Sequence, residues 1–259
     1  MTNNSANSTA NRIALSTSVS GSGPGIVLAH GASGSIASNF GTLIPLLAEA
    51  HTVTASDYPE DATPLDLDGL ADALVAAAAT ERFTVVGFSL GTAVAVRAAT
   101  RHPGRVTGLV LASGIARPDN RLLLALDLWS ALLRAGDRDS FARFAVHAAF
   151  STGFTNGLAP EAVAETVEMI AARVHDGIAQ QFALIREVDT TAELASVDVP
   201  TLVISTTGDL LVDPANHREL AEGIPGAEFA EIAAGHVLMA EQPDAWHDTV
   251  LEFLRRKGL

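Results

Sequence analysis

The sequence predicts an α/β protein: a mostly parallel, doubly wound sheet with helices on both faces and a helical insertion before its last strands. Three observations predict it. Short apolar runs rich in β-branched residues alternate with Ala- and Leu-rich stretches at helical spacing, the mark of βαβ units. A serine flanked by glycines, Gly87-Phe88-Ser89-Leu90-Gly91, stands between one such run and one such stretch. From Arg117 to about Ser196 the alternation stops, and the patterns are mostly helical with no credible strand.

Residues 1–11 are polar and Ser/Asn/Thr-rich, without an apolar core, and read as a disordered leader rather than a signal peptide or lipid anchor. Ile13-Ala14-Leu15 reads as a weak strand, Gly21-Ser22-Gly23-Pro24-Gly25 as a turn, and Ile26-Val27-Leu28-Ala29 as a short buried strand. A helix from about Gly41 to Ala48 leads to a strand at Thr52-Val53-Thr54-Ala55, and Leu67 to Thr80 is helical. Phe83-Thr84-Val85-Val86 is a buried parallel strand, Thr92 to Thr100 its helix, and Val106 to Ala112 the next strand. After the insertion the alternation resumes with a strand at Pro200 to Ile204 and a helix near Ala215 to Glu222. A strand at Glu228 to Ile232 and a helix from Asp244 to Arg256 complete it. The core is thus expected over 12–116 and 197–259. Ligands of open α/β sheets bind outside the carboxyl ends of the strands, so residues 117–196 are expected as a cap over that edge.

Bulk properties narrow the function. The 259 residues suffice for one large domain, and the net charge of −14 argues against nucleic acid or an anionic membrane as partner. The chain has no cysteine, which excludes disulfides, thiolate metal sites and a cysteine nucleophile. No apolar run reaches the ~18 residues of a membrane span. A cytoplasmic protein acting on a small molecule is expected.

The serine motif carries the chemistry. Flanking glycines allow a sharp, strained strand-to-helix turn that lifts the Ser89 hydroxyl clear of the sheet, the nucleophile elbow. Such a hydroxyl needs a positioned base, and the base an orienting acid. Among the histidines, His236 in Ala233-Ala234-Gly235-His236 follows the last strand, so its loop opens on the same edge as the elbow. His102, His51 and His247 read as structural or surface residues, and His147 and His175 lie in the insertion. Asp209, in Thr207-Gly208-Asp209, follows the strand at Thr201 and is the leading acid; the alternative, Asp213 before Pro214, reads as a helix cap. An oxyanion needs two backbone N–H donors. Leu90 supplies one, and Ala32 in His30-Gly31-Ala32-Ser33-Gly34 is the candidate for the second, with His30 as a brace for that loop. Six of the thirteen aromatics fall in the insertion. Candidate pocket residues are Ser33, Tyr58, Phe88, Trp129 and Phe150. The leucines from Leu122 to Leu133 occupy more than one helix face, which predicts a helix buried on several sides or a homodimer surface.

These residues, in the order Ser, Asp, His, resemble the α/β-hydrolase superfamily from about Arg12 onward. Pro103-Gly104-Arg105-Val106 and Val199-Pro200-Thr201-Leu202 are similar to stretches common there. The nearest subgroup is that of small, single-cap hydrolases, which include esterases, lactonases and haloperoxidase-like enzymes. The resemblance implies no cofactor and no metal. A serine nucleophile excludes epoxide hydrolases and haloalkane dehalogenases, which use aspartate there. Many relatives carry Asp-x-Arg-Gly-x-Gly where this chain has Asp57-Tyr58-Pro59-Glu60-Asp61, a departure at a loop bordering the pocket. Asp57 itself reads as a loop stabiliser. The leading expectation is hydrolysis of an ester, lactone or thioester with an apolar acyl part. Acyl transfer, cyclisation or other cofactor-free chemistry in secondary metabolism is the alternative, and a small-molecule sensor with a retained triad is the third.

Overall fold

Seven strands form one sheet in the computed structural model, which describes residues 13–259; the expected leader lies outside the described residues. The strands are β1 (Ser16–Ser20), β2 (Gly25–Ala29), β3 (Thr52–Asp57), β4 (Phe83–Phe88), β5 (Val106–Ala112), β6 (Thr201–Thr206) and β7 (Glu228–Ile232). Their order is β1-β3-β2-β4-β5-β6-β7, and only β1 pairs antiparallel. The order reverses between β2 and β4. Connections leaving these two strands diverge to opposite sides and open a crevice at the carboxyl edge.

Successive side chains of a strand face opposite ways, so each central strand feeds two cores. Val27, Val85, Leu109, Leu111 and Val203 face α3 (Leu67–Ala77), α4 (Leu90–Arg101) and α10 (Pro214–Gly223). Their neighbours Ile26, Leu28, Val86, Val110 and Ile204 face α2 (Leu43–Ala48) and α12 (Pro243–Lys257), whose Trp246, Val250 and Phe253 are buried. Being apolar on both faces is why these strands read as continuous apolar runs rather than alternating ones. Each fully buried Val or Leu contributes about 1.5–3 kcal/mol relative to exposure.

Two local differences from the sequence reading have physical causes. The first strand lies at Ser16–Ser20 rather than at Ile13–Leu15, and every residue in it is exposed. An edge strand of serine and threonine has no buried face to impose a pattern, whereas Ile13 is drawn into the core beside α3. Two short helices, α1 (Ile36–Phe40) and α11 (Leu238–Glu241), span too few residues to show a period. α1 is held by a capping box between Ser35 and Ser38.

Between β5 and β6 run five helices: α5 (Asn120–Ala135), α6 (Arg138–Ala149), α7 (Thr152–Gly157), α8 (Pro160–Ala172) and α9 (Gly177–Glu187). α5 buries Leu122, Leu126 and Trp129 on one stripe, while Leu124 and Leu128 are 69% and 45% exposed. The expectation that its leucines are buried on several sides is therefore corrected: the helix is one-sided. Among the described residues no helix is long and apolar enough to cross a membrane.

Candidate active site

β4 ends in the elbow. Ser89 has φ 53° and ψ −119°, a left-handed conformation that L residues disfavour, and it is over-determined by its surroundings. Its N–H donates to Ala112 O at 3.0 Å, and its carbonyl accepts from Thr92 N–H and Thr92 Oγ1 at 2.9 and 2.7 Å. A Cβ on Gly91 would overlap the Ala29 carbonyl, so only glycine lets α4 pass β2 this closely.

His236 lies between Ser89 and Asp209. Its Nε2 is 2.9 Å from Ser89 Oγ, and its Nδ1 is 2.8 Å from Asp209 Oδ2. The carboxylate also accepts from Thr206 Oγ1 at 3.0 Å and from the N–H groups of Leu211 and Val212 at 2.9 and 2.8 Å. Burial pushes the Asp209 pKa up, but the His236 charge and hydrogen bond, with the Val212 N–H, outweigh it and hold the carboxyl below its ordinary range. An ionised Asp209 accepts from Nδ1–H and leaves the Nε2 lone pair facing the serine. The loop carrying His236 is fixed from below, where Ser113 Oγ donates to the His236 carbonyl at 3.2 Å. Asp213 caps α10 by accepting from Ala215 N–H at 2.8 Å and takes no part in this row.

The loop after β2 leaves one donor free. Gly31 N–H donates to Asn39 Oδ1 at 3.0 Å, Ser33 N–H to Gln181 Oε1 at 2.7 Å, and Gly34 N–H to Gly31 O at 3.3 Å. Ala32 N–H has no acceptor among the described residues, and neither does Leu90 N–H at the first position of α4. His30 braces the loop: Nδ1 donates to Gly31 O at 2.8 Å, and Nε2 accepts from Tyr58 N–H at 3.0 Å. Burial pushes its pKa down to about 4, so the ring is neutral and suited to both bonds.

A cavity of about 610 Å³ opens above Ser89 and His236, walled by Ile115, Leu122, Leu126, Phe182 and Ile185 among others. Of the expected pocket residues, Ser33, Phe88, Trp129 and Phe150 line it. Tyr58 does not, which corrects that expectation: its ring stacks on His30 at 3.8 Å between centroids, and its hydroxyl is enclosed without a partner among the described residues. Asp57 accepts from Ile36 N–H at 2.7 Å and so caps α1. Two residues near the site escaped the sequence reading. Gln181 is a polar residue on the apolar stripe of Ile178, Phe182 and Ile185, a signal that was there to be read. His217 is fully buried, with Nδ1 3.1 Å from Ser205 Oγ and Nε2 3.9 Å from Asp209 Oδ2; no sequence pattern marks it. Among the described residues no group of three or more His, Asp or Glu is placed to hold a metal ion.

A parallel sheet whose central strand presents a serine on a strained elbow, beside a cavity partly lined by the helices inserted between β5 and β6, defines a class of α/β enzyme. The chain belongs to the alpha/beta hydrolase family, whose model matches residues 26–249. A pyrrolizixenacetamide deacetylase of Xenorhabdus hominickii is 30% identical over 247 residues, covering 91% of this chain and 92% of that protein. A polyketide synthase of Burkholderia thailandensis, ThaQ, is 32% identical over an alignment of 257 residues that covers 90% of this chain and 12% of the synthase. Among solved structures, the enol-lactonase of Burkholderia xenovorans LB400 superposes with TM-score 0.82 at 25% identity, covering 95% of this chain and 98% of that one.

Proposed function

We propose that the protein is a serine acyl hydrolase that cleaves an ester, lactone or thioester with an apolar acyl part through an acyl-enzyme. The observation that carries this reading is His236, held between Ser89 Oγ and Asp209 Oδ2 at 2.9 and 2.8 Å beneath a largely apolar cavity. Ser89 Oγ attacks the carbonyl carbon while its proton passes to His236 Nε2. Asp209 holds the ring in the required tautomer and stabilises the imidazolium. Charge developing on the carbonyl oxygen is met by the N–H groups of Ala32 and Leu90, with the amino end of α4 behind them. Collapse expels the leaving group, which takes the Nε2 proton. Water, deprotonated by His236, then releases the acyl group and regenerates Ser89.

The deacetylase relative bears on the leaving group. Its name describes removal of an acyl group from an acetamide, and a departing amine needs the proton His236 would return. Small acetamides therefore belong in the substrate screen beside esters and lactones. Acyl transfer to an acceptor other than water stays on the same acyl-enzyme and is read from the products by mass spectrometry.

A fluorophosphonate probe tests the reading directly. Wild-type protein should be labelled once, at Ser89, and Ser89→Ala should not be labelled. Folded wild-type protein that resists the probe and turns over no acyl substrate overturns it.

A further inference from the structure

Gln181 takes no part in the reaction outlined above, yet it is the insertion's direct hold on the loop of Ala32. The residue is 1% exposed, and its Oε1 accepts from Ser33 N–H at 2.7 Å, a contact spanning 148 residues of sequence. Ser33 stands at φ 56°, in the left-handed region that an L side chain disfavours. The loop conformation is therefore not self-sustaining and depends on what holds it. On the Gly31 side the hold is Asn39, from the sheet domain; on the Ser33 side it is Gln181, from the insertion. Ala32 N–H lies between the two.

α9 also forms part of the cavity wall. Phe182 and Ile185 line the cavity and flank Gln181 on the buried face of that helix. Phe182 stacks on Trp129 at 5.6 Å, and the helix start is pinned where Gly177 N–H donates to Glu60 O at 2.8 Å. An acyl group that fills the cavity against Phe182 and Ile185 thus bears on the helix that positions Ser33.

We propose that Gln181 is a positioning residue that couples filling of the acyl end of the cavity to the geometry of the Ala32 donor, which makes it a determinant of acyl-length specificity. This rests on the acyl-hydrolase reading. Binding energy from the non-reacting part of a substrate raises kcat only when it is used to orient the reacting centre. Here the path is material: acyl chain, Phe182 and Ile185, α9, Gln181, Ser33, Ala32. Longer apolar acyl groups should therefore raise kcat as well as lower KM.

The test is a series of p-nitrophenyl esters from acetate to octanoate on the whole protein, wild type against Gln181→Met and Gln181→Glu. Methionine keeps length and apolar volume but lacks the oxygen acceptor; glutamate keeps an acceptor at the same reach. In wild type, kcat should rise with acyl length until the cavity is full. In Gln181→Met the long-acyl kcat should fall about 10–100-fold and the length dependence of kcat should flatten, while KM still falls with length because the apolar wall is intact. Gln181→Glu should keep the length dependence of kcat, and it preserves the test if the methionine variant folds poorly. A Gln181→Met series parallel to wild type, or a Gln181→Glu series as flat as that of Gln181→Met, overturns the coupling and leaves the hydrolase reading standing. Wild-type protein inert to every ester overturns both.

Discussion

Placing a methyl group on Gly235 perturbs the geometry of the site while leaving Ser89, Asp209 and His236 chemically unchanged. The new Cβ would stand 2.6 Å from Glu241 Oε1 and 2.8 Å from the Phe150 carbonyl carbon, and closer still to the Ser151 nitrogen. Two of these are backbone atoms and cannot swing aside. They are also held: Glu241 accepts from Ser151 N–H at 2.7 Å and from Ser151 Oγ at 2.6 Å, and Val237 N–H donates to Ala149 O at 3.2 Å. Ordinary contact begins near ~3.5 Å, so the loop before His236 must move by roughly 1 Å. The His236–Ser89 hydrogen bond of 2.9 Å would then stretch beyond useful reach. A 1 Å error of this kind costs about 100-fold in rate, or about 3 kcal/mol of transition-state stabilisation. Overpacking costs stability too, about 1–3 kcal/mol, which lowers Tm by several degrees. Gly153→Ala, two residues past Ser151 on α7, has nothing within 4 Å of the added methyl and serves as control. Steady-state ester hydrolysis and the rate of fluorophosphonate labelling should both fall in Gly235→Ala and stay within twofold of wild type in Gly153→Ala. Folded Gly235→Ala with activity within threefold of wild type refutes the reasoning.

Other expectations follow from the same site. Asp209→Asn replaces an acceptor of the Nδ1 proton by an amide that can present a donor, favouring the wrong tautomer; kcat should fall about 10³–10⁴-fold with Tm lowered modestly, and a loss under tenfold contradicts the role given to Asp209. Burial holds His30 and His217 down at about 4 against an ordinary 6.5, with Asp57 and Asp209 respectively opposing the shift. Between pH 6.5 and 4 the unfolded chain binds more protons than the folded one. Stability is thus complete above pH 6.5 and lost towards pH 4, by about 3 kcal/mol per histidine. Urea unfolding at pH 7 and pH 4.5 should show a smaller acid loss in His217→Gln than in wild type, and equal losses would rule this out. Tyr58→Phe removes an enclosed hydroxyl that has no partner among the described residues, so unfolding measurements should find it neutral or stabilising by about 1 kcal/mol, with unchanged turnover. A marked drop in kcat would show that this hydroxyl reaches the substrate.

What could be read from the sequence was whatever leaves a local period or a punctuated turn. β5 has the boundaries its apolar run suggests, because a buried parallel strand is apolar along nearly its whole length; β7, an edge strand with only Ile232 buried, also lies at Glu228–Ile232 as expected. Ser89, Asp209 and His236 could be picked out because each follows a strand and precedes a helix, and in the structure those three loops open on one edge. Contacts made across long separations left no such mark. Gln181 reaches Ser33 from the insertion, and His217 is packed behind Asp209 by the turn into α10. The exposed Leu124 and Leu128 misled because leucine content does not reveal which side of a helix is covered. Tyr58 misled because the chain turns it inward onto His30 instead of towards the cavity.

The insertion is stitched to the sheet domain at both loops that matter: at Ser33 through Gln181, and at the His236 loop through Ser151, Glu241 and the Ala149 carbonyl. It is therefore not an interchangeable module. A chimaera that kept this sheet domain but took the roof of another hydrolase would have to bring along a side-chain acceptor for Ser33 and a partner for Glu241. Without them, a new pocket would come at the expense of the machinery beneath it.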